Sequence, residues 1–248
     1  MEIMKNTAFK IFYFLRLHNL FKHLFQKDKV TILLFHELPL VNAEKIITFL
    51  NKSYSVITLD DYINYRINHS PKLPNFPLVI TFDDGRRSNL ELMGLFQKFK
   101  NRPTIYVCSN KDRLDGFDLF NNGELKRARG VFDIQAHTIS HPNLKEVTEK
   151  TAITEIGKCK KDLENKLGDA ITSFAYPYGK YNDRDVRIVR AEGYTNAVTV
   201  DFGFNDLQTN IFRLNRICIS DTPTLYETAI KACGFWGFLK KRIDALSV

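Results

Sequence analysis

The feature that most constrains the fold of this chain is the alternation of short apolar runs with longer amphipathic segments. Runs rich in β-branched residues predict seven strands, at 30–35, 78–82, 104–108, 131–136, 171–176, 196–200 and 216–220. The segments between them predict helices near 43–52, 59–69, 87–100, 149–167, 183–193 and 223–233. Strands that alternate with helices imply parallel strands joined by crossover helices.

The predicted fold class is therefore α/β, as a closed or nearly closed β/α barrel of about seven parallel strands with terminal amphipathic helices. A doubly wound open sheet is the alternative. The 248 residues suit one large domain, and no Pro/Gly/Ser-rich linker divides them. We expect a basic N-terminal helix over 1–28, the main domain over 29–222 and a helical extension over 223–248.

The two ends of the chain combine basic and aromatic residues. Residues 7–26 are apolar but interrupted by five basic or histidine side chains, so they match neither a secretory signal nor a membrane-spanning helix. A helix lying on a membrane surface and a helix packed on the body of the protein both remain open, and 234–242 has the same ambiguity. The net charge of +8 favours anionic surfaces. The basic residues cluster beside apolar ones at the ends, so nucleic-acid binding is not expected.

The cysteines favour a reducing compartment. Cys108, Cys159, Cys218 and Cys233 are scattered, and no pair has the CxxC spacing of a zinc or redox motif. In a chain of this length they indicate free thiols rather than a disulfide framework. Together with the lack of a recognisable signal, this predicts a cytoplasmic location, with membrane association left open.

Four of the predicted strands run directly into residues with catalytic chemistry. The segments that follow them are His36-Glu37, Asp83-Asp84-Gly85, His137 with His141, and Pro177-Tyr178-Gly179. Both candidate architectures place their chemistry at the carboxyl ends of the strands. We therefore expect these segments to meet at one rim of the fold.

The Asp pair and the His pair together suggest a metal site. Asp83-Asp84-Gly85 could be an ordinary turn, but two adjacent carboxylates repel each other and a cation would relieve that repulsion. His137 and His141 are spaced to lie on one face of a helical turn, where two imidazoles can bind one divalent ion. The alternative is a polar helix start capped by Thr138 or Ser140. One Asp and two His leave an open coordination position, which is typical of a catalytic site.

The segments TFDDG (81–85), HTISH (137–141) and FAYPYG (174–179), in that order, resemble the motifs of the polysaccharide deacetylase superfamily. This superfamily is also called NodB-like or carbohydrate esterase family four. TILLFHELP (31–39) resembles the branch that opens with a strand ending in His. The resemblance runs from about residue 30 to about residue 220. It implies a distorted β/α barrel.

The resemblance also implies roles for individual residues. Asp83 would be the general base, and Asp84, His137 and His141 would hold a divalent metal. That metal is commonly zinc, with cobalt, nickel, manganese and iron as further candidates. Tyr178 would offer its backbone N–H to the oxyanion. The implied partners are N-acetylated glycans, such as polymers of N-acetylglucosamine.

The chain departs from the common family pattern in two places. Ala175 stands where many members carry the Arg that orients the base, and no His follows His141 to serve as the general acid. His36 could replace the missing acid if the strand order is permuted. Arg213 or Arg216 could replace the missing Arg, and Arg216 is preferred because it opens a predicted strand.

The sequence therefore predicts a metal-dependent hydrolase that removes N-acetyl groups from an amino-sugar glycan. An inactive glycan-binding protein of the same fold is the second interpretation, and a hydrolase of O-acetyl or other amide groups is the third. The sequence does not identify the glycan or the oligomeric state.

Overall fold

The computed structural model of the protein describes residues 2–69, 71–110 and 118–238. The strands are β1 (Thr31–Phe35), β2 (Ser55–Val56), β3 (Pro77–Phe82), β4 (Thr104–Val107), β5 (Asp133–Ala136), β6 (Ser173–Ala175), β7 (Asn196–Val198) and β8 (Ile217–Cys218). The α-helices are α1 (Glu2–Phe14), α2 (Leu17–Phe25), α3 (Leu40–Ser53), α4 (Leu59–Asn68), α5 (Met93–Phe99), α6 (Asn122–Ala128), α7 (Glu149–Ile153), α8 (Cys159–Leu167), α9 (Asp183–Ala191) and α10 (Leu225–Ala232). The described residues also include two 3₁₀ helices (Arg87–Leu92 and Pro177–Gly179) and a π-helical turn (Thr154–Lys158).

The sheet is parallel, with the order β7-β6-β5-β4-β3-β1-β8, and β2 pairs with the start of β3. The segment that ends in β8 reaches both edges of this sheet, because Leu214 bridges Val198 of β7 while β8 pairs with β1. The strands therefore curl towards closure as a distorted β/α barrel, which confirms the predicted fold class. The sequence missed β2, whose two residues are too few to show a pattern, and α6, which begins in a capping box at Asn121.

The central strands are buried on both faces, which explains their continuous apolar runs. In β1, for example, Ile32 packs in a cluster with Val79 and Tyr106 from neighbouring strands, whereas Leu33 faces the larger cluster that includes the helices. These four side chains are at most 1 % exposed. The packed layers on both sides fix the positions of the strand ends, where the candidate site residues lie.

The N-terminal segment folds as two helices rather than the single helix expected. The helix is interrupted at Arg16, which adopts a left-handed φ of 54° between α1 and α2. Phe9 and Phe12 are buried against Ile230 and Cys233 at the end of α10. One face of α1 is thus packed on the body of the protein. The boundaries proposed after residues 28 and 222 stay a prediction.

No helix among the described residues is long and apolar enough to cross a membrane. The C-terminal stretch 234–242 lies outside the described residues from 239 onwards. The four cysteines are free thiols, and Cys218 alone among them is exposed. The cytoplasmic location stays a prediction.

Candidate active site

Asp84, His137 and His141 meet at the carboxyl ends of β3 and β5. The Oδ1 atom of Asp84 lies 3.8 Å from Nε2 of His137 and 3.6 Å from Nε2 of His141, and the two Nε2 atoms are 3.1 Å apart. Two ligand atoms on a tetrahedral zinc ion would be roughly 3.3 Å apart, given bonds of about 2.0–2.1 Å. One carboxylate and two imidazoles at these spacings fit one divalent ion.

Both histidines direct their Nε2 atoms to this point. The Nδ1 atom of His137 lies 2.8 Å from the carbonyl oxygen of Ala175, so the tautomer that donates from Nδ1 leaves Nε2 free to bind a metal. Burial, together with the nearby His137, lowers the pKa of His141 to about 3. At neutral pH His141 is therefore an uncharged imidazole, which is the form that ligates metals.

The loop that carries the two histidines is not a helical turn, so that part of the sequence interpretation is wrong. Thr138 and His141 have left-handed φ values of 69° and 57°, and the hydroxyl of Thr138 accepts the backbone N–H of His141 at 3.0 Å. Glu155, from the π-helical turn, accepts the backbone N–H groups of Ile139 and Ser140, each at 2.9 Å. These side-chain acceptors take the place of the backbone carbonyl groups that would accept the same N–H groups in a helix. The resulting loop directs both imidazole rings towards Asp84.

Asp83 lies beside the triad and is paired with Arg216. Nη1 and Nη2 of Arg216 donate to the two carboxylate oxygens of Asp83, both at 2.7 Å, and Nε donates to the carbonyl oxygen of Thr199. Burial raises the pKa of Asp83, but the interactions with Arg216 and with the neighbouring His137 outweigh it and leave the pKa below its usual value. Arg216, which is completely buried, is therefore the arginine that reaches Asp83. Arg213 pairs with Asp183 instead.

Tyr178 lies against the triad, in the 3₁₀ turn after β6. Its ring packs edge-on against His141 with the centroids 4.3 Å apart, while 60 % of the residue is exposed. Its backbone is left-handed, with a φ of 57°. Gly179 follows with a φ of 63°, and a Cβ atom there would lie 2.1 Å from Val200. The turn therefore requires glycine at 179, and Asp84 (φ 70°) adds a further left-handed residue to the site.

His36 lies at the edge of the site, at the end of β1. Its Nδ1 atom is 3.5 Å from Oδ1 of Asp221, and its side chain is 32 % exposed. The guanidinium of Arg86 lies 3.5 Å from both Asp84 and Asp221, and 3.2 Å from Glu37. The fold thus joins the first and third strand ends through a network of charges.

The sequence interpretation missed Arg86, Glu155 and Asp221. Asp221 follows β8, so the same reasoning from strand ends could have found it. Arg86 directly follows the Asp83-Asp84-Gly85 segment, but nothing in the sequence shows where its side chain points. Glu155 lies within a helical segment, and no sequence pattern distinguishes it from the other polar residues of that segment.

Sequence comparison gives matches to known deacetylases. The profile described as polysaccharide deacetylase matches residues 71–197, just over half of the chain. The poly-beta-1,6-N-acetyl-D-glucosamine N-deacetylase of Staphylococcus aureus (strain MRSA252) is 24 % identical in an alignment of 189 positions, which covers 71 % of this chain and 64 % of that protein. YxkH of Bacillus subtilis (strain 168), also named for polysaccharide deacetylation, is 26 % identical over 144 residues, which are 58 % of this chain and 51 % of that protein. The matched regions thus span between about half and two thirds of these relatives.

Solved structures share the fold. The Streptococcus pyogenes deacetylase PplD, in complex with acetate, superposes with a TM-score of 0.71 at 20 % identity, covering 83 % of this chain and 99 % of that one. IcaB from Ammonifex degensii superposes with a TM-score of 0.70 at 18 % identity, covering 85 % and 99 %. Because the polysaccharide deacetylase profile matches more than half of its length, the chain belongs to the polysaccharide deacetylase family.

Proposed function

We propose that this protein is a metal-dependent hydrolase that removes N-acetyl groups from an amino-sugar glycan. The observation that carries the proposal is the Asp84, His137 and His141 cluster with the carboxylate of Asp83 beside it. The relative from Staphylococcus aureus, which is named for poly-beta-1,6-N-acetyl-D-glucosamine, makes oligomers of that sugar the first substrates to test.

Zinc is the metal we propose first, because two imidazoles and one carboxylate are common zinc ligands. The same donors also accept cobalt, nickel, manganese or iron. When bound, the ion supplies Lewis acidity, which activates a water molecule and polarises the acetyl carbonyl. Asp84, His137 and His141 would hold it.

The remaining residues supply proton transfer and charge stabilisation. Asp83, kept ionised by Arg216, is proposed as the base that takes the proton from the attacking water. The backbone N–H of Tyr178 is proposed as the donor to the oxyanion, a contribution of about 3–4 kcal/mol in comparable sites. His36 is proposed as the acid that protonates the leaving amine, with Asp221 orienting its ring.

The metal can be tested without knowing the substrate. We expect wild-type protein to retain about one divalent ion per chain after reconstitution with zinc and desalting, and Asp84→Ala to lose it, because the site then keeps only two ligands. Metal is measured by elemental analysis. Asp183→Ala, which removes an exposed carboxylate, is the matched control and should bind as the wild type does.

Acetate release then separates the three interpretations. Release from N-acetylglucosamine oligomers supports the proposed activity, and release only from O-acetylated glycans supports the esterase. Metal binding without release from any panel member would contradict the proposal and favour a glycan-binding protein. A wild type that binds no zinc, cobalt or manganese would contradict the mechanism itself.

The acid role of His36 predicts a loss of turnover with the metal retained. We expect His36→Gln to lower kcat by about 10²–10⁴-fold, since Gln cannot deliver a proton to the leaving amine. His69→Gln, at an exposed histidine in the C-cap of α4, is the control. Unchanged kcat in His36→Gln would remove His36 from the mechanism. Loss of metal along with activity would instead make His36 part of the metal site.

A further inference from the structure

A large basic cleft lies outside the site described above. It has a volume of about 880 Å³ and runs between the α1–α2 pair and the exposed side of α3. We call it the flank cleft, and its lining includes Phe14, Arg16, His18, Lys22, Lys45 and Lys52. None of the catalytic candidates lines it. The proposal that follows is therefore independent of the proposed deacetylase activity.

The charge of the flank cleft is strongly positive. Arg16, Lys45 and Lys52 are exposed, and within the described ranges no carboxylate pairs with them. Glu44 also lines the cleft, but its carboxylate is 2.7 Å from the ammonium of Lys98. The lining therefore offers several cations whose charge no carboxylate among the described residues neutralises.

The floor of the cleft holds two further basic groups that are more than nine-tenths buried. Lys22 donates to the carbonyl oxygen of Ser53 and lies over the rings of Tyr54 and Phe76, at 5.0 and 4.4 Å. His18 stacks on the ring of Tyr13, and its Nδ1 atom has no hydrogen-bond partner in the described structure. Burial is the main cause of the lowered pKa of His18, and the charges of Lys22 and Arg16 lower that pKa further.

Exposed apolar side chains adjoin these cations. Phe14 is 70 % exposed and lines the cleft itself. Ile11 and Leu15, at helical spacing with it, are 56 % and 64 % exposed. Basic side chains next to exposed aromatic and aliphatic ones are the combination that binds helices to anionic membrane surfaces. A free phosphate ion would fill little of this volume and would leave the apolar residues in water.

We propose that the flank cleft binds the phosphate headgroups of an anionic lipid bilayer, with Phe14 and its apolar neighbours entering the interface. The cations supply the attraction to the headgroups, and the apolar side chains supply burial at the acyl boundary. The catalytic candidates lie at the strand ends and share no residue with the cleft. Binding of the membrane through the flank cleft therefore occupies none of the catalytic candidates.

Sedimentation of the full chain with vesicles tests this proposal. We expect binding to vesicles made of equal parts phosphatidylcholine and phosphatidylglycerol, and little binding to phosphatidylcholine alone. K45E/K52E should weaken the partition onto anionic vesicles by roughly tenfold or more, because two attractive charges become repulsive. K126E/K161E, at exposed lysines on α6 and α8, changes the net charge equally and should retain binding.

Additional variants separate the apolar contribution from the charge contribution to vesicle binding. Phe14→Ser should bind anionic vesicles less than the wild type does at raised salt, where the apolar contribution dominates. If circular dichroism shows that K45E/K52E is unfolded, K45Q/K52Q repeats the charge test. Equal losses in K126E/K161E, or equal binding to neutral vesicles, would overturn the proposal. Calorimetric binding of inorganic phosphate that depends on Lys45 and Lys52, without vesicle binding, would also overturn it and assign the cleft to a soluble anion.

Discussion

Replacing Asp83 with Asn is expected to lower the kcat of acetate release by about 10²–10⁴-fold, the range that a general base contributes. The amide keeps the shape of the side chain but cannot accept the proton of the attacking water. Asp83 is only 3 % exposed, and each of its oxygens accepts one bond from Arg216 and retains a second lone pair. The wild-type carboxylate can therefore hold Arg216 and take a proton at the same time.

The metal content distinguishes this role from ligation. Asp83→Asn should keep its ion, whereas Asp84→Ala should lose it, and the two adjacent carboxylates thus serve as matched controls. Turnover is compared at equal folded fraction, because Asn also leaves Arg216 without its counter-charge. Wild-type kcat in Asp83→Asn would contradict the assignment of the base. Simultaneous loss of metal would assign Asp83 to the metal site.

Replacing Arg216 with Met is expected to reduce the free energy of unfolding by about 3–5 kcal/mol, because it leaves the charge of Asp83 buried and unpaired. The measurement is denaturant unfolding of the metal-free protein, so that metal binding does not contribute. The Asp83→Asn/Arg216→Met double variant should be more stable than the sum of the two single losses predicts, since no lone charge remains. Strictly additive losses would contradict a direct coupling of the two residues.

Arg213→Met is the matched control for Arg216→Met. Its partner Asp183 has a 79 % exposed side chain, and a surface pair of this kind contributes under about 1 kcal/mol.

The loss of stability in Arg216→Met should also depend on pH. The folded pKa of Asp83 is lowered, so its pairing with Arg216 stabilises the protein at pH values above the unfolded pKa of about 3.9. This stabilisation is lost as the pH falls through the folded pKa. The difference in the free energy of unfolding between wild type and Arg216→Met should therefore become smaller in acid.

The strands and the clustering of the motifs could be predicted because both depend on local patterns. Buried parallel strands give continuous apolar runs, and their carboxyl ends meet at one rim, so His36, Asp84 and His137 could be expected there. The choice of Arg216 over Arg213 followed from its position at the start of a strand. In the structure Arg216 does lie against Asp83.

The parts that could not be predicted depend on contacts between segments far apart in the chain. Glu155 holds the loop of His137 and His141 from a helix, and Arg86 connects Asp84 with Asp221. The histidine loop was expected to be helical because an i, i+4 spacing alone suits a helix. The chain instead uses Thr138 and Glu155 to satisfy the backbone without one.

The left-handed backbone at Asp84, Thr138, His141 and Tyr178 has an evolutionary consequence. Each non-glycine residue in this conformation costs about 1–2 kcal/mol, and glycine would remove most of that cost. A population selected only for resistance to heat would therefore gain by accumulating glycine at these four positions. Glycine at 84 or 141 would delete a proposed metal ligand, so thermal robustness and chemistry would be selected in opposite directions at those two codons.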